Sequence, residues 1–190
     1  MTPRYIYLHG FASAPTSRKA QFFREKFASK GIDVRIPALD EGDFTALTVG
    51  AQLKVVEREA AGASDVVLMG SSLGGYLSAL YAARNPDQVS KLVLLAPAFG
   101  FPRRWQEGMG GERIAKWKEA GTVQMFHYGT GSMRPISYRL IEEAQAYEDY
   151  PEVSQPTLIL QGTDDEVVPP RYSEEFVRRH PDWDMAAPGY

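Results

Sequence analysis

The segment Gly70-Ser71-Ser72-Leu73-Gly74-Gly75 constrains this chain more than any other. An apolar run, Val66-Val67-Leu68-Met69, leads into it, and Leu77, Leu80 and Tyr81 follow at helical spacing. That succession is a strand, a sharp turn and a helix. Within it, the pattern Gly-x-Ser-x-Gly puts Ser72 at the tip of a nucleophile elbow. A glycine stands two residues to either side because so tight a turn leaves no room for a Cβ there. The helix that follows aims the positive end of its dipole at Ser72, where negative charge can develop. A phosphate-cradling loop fits less well. No Lys-Ser/Thr pair follows the glycines, and their spacing is not G-x-G-x-x-G.

The same alternation runs along the chain. Apolar strands are expected at residues 5–8, 34–36, 66–69, 92–95 and 157–160. Between them lie helical stripes: Ala20, Phe23 and Phe27 within residues 17–30, then Val49, Leu53, Val56 and Ala60. The helix from Leu73 stops near Asn85-Pro86, and Tyr172, Phe176 and Val177 mark another after the last strand. Strands alternating with helices imply an α/β fold: one domain over residues 1–190, with a mostly parallel sheet covered on both faces. Residues 98–134 break the rhythm. They are rich in glycine and aromatics, including Phe99, Phe101, Trp105, Trp117, Phe126 and Tyr128. An insertion after a strand's C-terminal end sits over the site of an open sheet, so a small, loop-rich cap is expected there. Its aromatics either line an acyl pocket or glue the cap to the sheet.

Composition narrows the chemistry. A net charge of −3 gives no support to a nucleic-acid or anionic-membrane partner. The first residues enter a strand at once, with no leader or membrane-spanning run, so a cytoplasmic protein is expected. With no cysteine, disulfides, thiolate metal sites and a cysteine nucleophile are ruled out. The three histidines, His9, His127 and His180, form no metal-binding spacing, and Asp164-Asp165-Glu166 lacks the pattern of a Ca²⁺ loop. No metal and no cofactor is expected.

A serine hydroxyl needs a base, the base needs an acid to orient it, and the transition state needs donors for its oxyanion. The amide after the nucleophile belongs to Leu73. A second donor is expected from the loop His9-Gly10-Phe11, where Gly10 lets the backbone approach and Phe11 supplies the N–H. His9 reads as a brace of that loop. The acid belongs at the end of the strand at 157–160, among Asp164, Asp165 and Glu166, because the preceding strand ends Ala96-Pro97-Ala98 with no carboxylate.

Three blocks together, Leu8-His9-Gly10-Phe11, Gly70 to Gly75, and Gly162-Thr163-Asp164-Asp165-Glu166-Val167-Val168-Pro169, resemble signature blocks of the α/β-hydrolase superfamily. More narrowly, the chain is similar to the small bacterial YqiA/UPF0227-like esterases and related acyl-thioesterase-type hydrolases. The resemblance implies that Asp165 is the acid. It also implies ester or thioester hydrolysis through an acyl-enzyme on Ser72, with a histidine one helix and one strand further on. Ordinary element lengths put that histidine about 20–30 residues past Asp165. The tail at 184–190 holds none, so the sequence reads as truncated there, with the last strand and helix short or missing. His180 is a candidate base or a helix-end histidine, and His127 is flanked by aromatics that suggest packing. A missing last strand would expose the 157–160 strand as an edge and invite a homo-oligomer. The expected activity is hydrolysis of short- to medium-chain carboxylic esters. The alternatives are an acyl-thioesterase, a C–C hydrolase, or a degenerate hydrolase fold that binds acyl ligands without turnover.

Overall fold

A computed structural model of the protein describes residues 2–180. Five strands, β1 (Arg4–Leu8), β2 (Val34–Arg35), β3 (Val66–Ser71), β4 (Val89–Leu95) and β7 (Thr157–Leu160), form one parallel sheet in the order β2-β1-β3-β4-β7. Register follows the pleat. Ile6 lies opposite Leu68 and Leu8 opposite Gly70, so the ends of β1 and β3 come level beside the elbow.

Alternate residues serve two cores. Ile6, Leu8, Val66 and Leu68 enter the larger one, with α2 (Val49–Ala60) and α3 (Leu73–Arg84). Tyr7 and Met69 enter the smaller one with Ala20, Phe23 and Phe27 of α1 (Arg18–Ala28). Ser17 caps α1 and Thr48 caps α2, each accepting an amide three residues on. Helix α3 is apolar on every side and buried from Leu73 to Ala82, as befits a helix packed centrally on the sheet.

One expectation needs correction. The segment at 98–134 is not loop-rich. It folds as α4 (Phe101–Met109), α5 (Gly111–Ala120) and an antiparallel hairpin of β5 (Thr122–His127) and β6 (Ser132–Ser137), followed by α6 (Arg139–Ala144). The many glycines mask short elements that they punctuate: Gly110, Gly121 and Gly131 take positive φ between them. Among the described residues, β7 is an edge strand, and Leu158 and Leu160 on one of its faces are 54% and 46% exposed. Helix α7 (Arg171–Arg178) follows β7, as expected; the tail at 184–190 lies outside the described residues.

Candidate active site

Ser72 sits between β3 and α3 with φ 53° and ψ −119°, a backbone conformation unfavourable for a residue with a Cβ. The surroundings hold it there. Its N–H donates to the Leu95 carbonyl at 2.9 Å. Its carbonyl accepts from Ala98, Gly75 and Tyr76 at 3.0, 3.0 and 3.1 Å. The flanking glycines are obligatory: a Cβ on Gly70 would overlap the Gly74 carbonyl, and one on Gly74 would overlap the Leu8 carbonyl. Ala12 and Ala96, after β1 and β4, also carry positive φ, so three neighbouring strand ends are strained on the same side of the sheet.

The loop after β1 closes over the serine. A Cβ built on Gly10 would stand 3.4 Å from the Ser72 Cβ and 4.0 Å from its Oγ, which measures how near that backbone comes. Among the described residues, the amides of Phe11 and Leu73 donate to no protein acceptor. His9 braces the loop as expected. Its Nε2 accepts the Leu39 N–H at 3.3 Å and its Nδ1 bonds the Gly10 carbonyl at 3.0 Å. Burial lowers its pKa, against the opposing pull of the Gly10 carbonyl.

Ser72 opens into a cleft of about 670 Å³. Phe11, Phe101, Trp105, Met125 and Phe126 are among the side chains that line it. The cap aromatics therefore divide between the two roles left open by the sequence. Trp117 is buried glue, its Nε1–H donating to the Ile136 carbonyl at 3.1 Å, whereas Phe101 and Trp105 face the cleft. The hairpin is tied to the loop after β1. The Tyr128 N–H donates to Ala12 at 2.7 Å, and His127 packs on Phe44 with its Nε2 3.6 Å from Asp40 Oδ2.

Asp165 lies half-buried between exposed Asp164 and Glu166. Its Oδ1 accepts the amides of Val167 and Val168 at 3.0 and 2.8 Å, and those two residues border the cleft. The structure does not place His180 in that cleft. His180 is buried at the end of α7 and lines a separate cavity with Arg84 and Glu148. Its Nδ1–H donates to the Phe176 carbonyl at 2.7 Å, and its Nε2 accepts the Val153 N–H at 3.3 Å. Both ring nitrogens are committed to the scaffold. None of the three histidines of residues 1–190 lines the Ser72 cleft.

Two features escaped the sequence reading. Ser71, facing away from the cleft, accepts a hydrogen bond from Lys19 Nζ at 2.8 Å and also bonds the Tyr7 phenol, whose pKa burial pushes up to about 12. Arg104 of α4 is the one charged side chain among the described residues that line the cleft. Its position inside an aromatic stretch, Phe101-Pro102-Arg103-Arg104-Trp105, was the available signal.

Residues 4–182 match the family described as an uncharacterised protein family, UPF0227. The chain belongs to that family. Its fold is that of the α/β-hydrolases. It is similar to mouse alpha/beta hydrolase domain-containing protein 10 (26% identity, TM-score 0.76, covering 94% of this chain and 76% of that one). It is also similar to a putative hydrolase from Agrobacterium vitis (26% identity, TM-score 0.78, covering 93% and 74%). A plant relative, alpha/beta hydrolase domain-containing protein WAV2 of Arabidopsis thaliana, is 31% identical over 109 residues, 56% of this chain. The chain spans only 32% of WAV2, and less of the next curated relatives. No described helix is long and apolar enough to cross a membrane.

Proposed function

We propose that the protein is a serine hydrolase that cleaves short- to medium-chain carboxylic esters through an acyl-enzyme on Ser72. The observation that carries this reading is the strained Ser72 at the mouth of an apolar cleft, with Gly10 against it and the amides of Phe11 and Leu73 unspent. In the reaction, Ser72 Oγ adds to the ester carbonyl and the two amides receive the oxyanion. The alcohol then leaves, and water releases the acid. Asp165 would orient the general base, because Oδ1 is fixed by two amides while, among the described residues, Oδ2 makes no hydrogen bond. The same parts would serve a thioester or a C–C substrate. A second reading, a fold that binds acyl groups without turnover, is favoured by the lack of any histidine of this sequence in the cleft.

The test is hydrolysis of p-nitrophenyl butyrate with and without added imidazole, alongside Ser72→Ala. Turnover that rises and saturates with imidazole, and vanishes in Ser72→Ala, supports the hydrolase reading and shows that only the base is lacking. No turnover under any condition, with butyrate analogues still bound, favours the binding reading. We also read the protein as a cytoplasmic one that pairs with a second copy along the apolar edge of β7. A monomeric mass by light scattering at micromolar concentration would rule the pairing out.

A further inference from the structure

Arg104 is an anomaly in the cleft it lines. Its neighbours there, Phe101, Trp105, Met109 and Val168, are apolar, and the half-buried guanidinium is the one charge they share the cleft with among the described residues. No carboxylate lies within ion-pair distance of it among the described residues. Asp165 attracts it only from further away. One hydrogen bond is made, from Nη2 to the Val167 carbonyl, and the guanidinium lies over the Tyr172 ring, 4.9 Å from its centroid. An arginine carries five N–H donors in a planar fork. The stacking and the single bond fix the plane of that fork and leave most of its donors without a protein acceptor. A planar, pre-oriented guanidinium suits two-point recognition of carboxylate or phosphate oxygens. Arg103, one residue earlier, shows the contrast: it is exposed and pairs with Glu107 and Asp149.

We propose that Arg104 is a specificity residue that binds an oxyanion, carboxylate or phosphate, on the substrate, so that the preferred ester carries a negative charge within the part that occupies the cleft. This rests on the hydrolase reading for its consequence in turnover, but not for its consequence in binding. The cleft supplies the rest of the match: apolar walls for an acyl chain, Ser72 at one point and a lone cation at another.

Two measurements test it. In the first, with imidazole added as the base, 3-(butyryloxy)benzoate and 3-(butyryloxy)benzamide are compared as substrates, with the same acyl group and a charged or neutral leaving group. The expected result is a kcat/KM ratio of about tenfold or more in favour of the benzoate, collapsing towards one in Arg104→Gln and partly restored in Arg104→Lys. If Arg104 only holds the Val167 loop in place, both esters lose rate together and the ratio stays where it was, which overturns the proposal. In the second, octyl phosphate, octanoate and octanol are titrated against intrinsic tryptophan fluorescence, Trp105 being in the cleft wall. Tighter binding of an anion than of octanol, weakened by salt and by Arg104→Gln, supports the proposal even if neither ester is turned over. In that event it is the hydrolase reading that fails. The tighter of the two anions identifies the group recognised. Equal binding of all three ligands overturns the proposal whatever the turnover.

Discussion

On one wall of the Ser72 cleft, a Cβ added to Gly74 would run into the Leu8 carbonyl; on the other, a Cβ added to Gly108 would meet no atom within 4 Å. The first wall is β1, β3 and α3, buried almost without interruption. The second is α4 and the β5–β6 hairpin, where Phe126, Tyr128 and Met133 stand 46%, 76% and 57% exposed. The wall that presents Ser72 and the amides of Phe11 and Leu73 holds its atoms closely in place by filling all available space. The wall that meets the rest of a ligand is a layer of large, half-buried side chains that can adjust. Under the proposed function, chemistry and selectivity are thus divided between two kinds of packing.

The most severe way to break that contrast is with glycine substitutions. Gly74→Ala is expected to cost more than about 4 kcal/mol, because backbone must move to admit the methyl. Gly108→Ala, within a helix and with open space around it, is expected to gain about 0.5–1 kcal/mol from helix propensity alone. Urea midpoints of the two variants measure both. Similar small effects at both positions would mean that the two walls are equally tolerant.

A pH titration reaches the tight wall by another route. The folded pKa of Tyr7 is raised to about 12 by burial, above an ordinary value of 10.0. Its contribution is therefore fully present below pH 10 and is lost as pH rises from 10 towards 12. A shift of that size corresponds to about 2–3 kcal/mol. Tyr7→Phe should flatten this part of the stability profile. At the acid end, His9 has a folded pKa below 6.5, so its contribution is whole above that value and falls away as pH drops beneath it. Urea unfolding at successive pH values follows both limbs.

The division of labour also governs what could be read from the sequence. The tight wall was legible because its constraints are local: two glycines around a serine, an apolar strand before, a helix after. Gly10 and Phe11 were legible for the same reason. The cap was not, since the alternation of Val123 and Met125 with Gln124 and Phe126 is too short to stand out among glycines and aromatics. Arg104 was harder to read because its meaning depends on lacking a carboxylate at ion-pair distance, a property of the folded molecule and not of its neighbours in sequence. His180 shows the reverse limit. Its place after Asp165 suited a base, yet the turn that ends α7 directs its ring into the scaffold, where Phe176 and Val153 take both nitrogens.

Strain at the elbow is smaller but separable from chemistry. Ser72→Ala and Ser72→Gly both remove the hydroxyl, and both are expected to lose ester turnover. They differ in backbone. Glycine adopts a φ of 53° without a Cβ penalty, so Ser72→Gly should be more stable than Ser72→Ala by about 1 kcal/mol, despite the greater freedom of its unfolded chain. If alanine is the more stable of the two, the turn is relaxed and the three hydrogen bonds to the Ser72 carbonyl hold nothing under tension.

The adaptable wall should yield the smallest stability effect and the most selective one on substrate. Met133 lines the cleft from β6 while remaining 57% exposed, so Met133→Ala removes little buried area and should change unfolding free energy by no more than about 0.5 kcal/mol. Its effect belongs in the comparison of chain lengths. An octanoyl ester reaches further along the cleft than a butyryl ester, and each methylene that loses its contact forfeits up to about 0.8 kcal/mol. The octanoyl-to-butyryl ratio of kcat/KM is therefore expected to fall severalfold, mostly through KM. A ratio that holds while both rates drop would assign Met133 to the tight wall, because only a side chain that positions the reacting groups lowers every substrate alike.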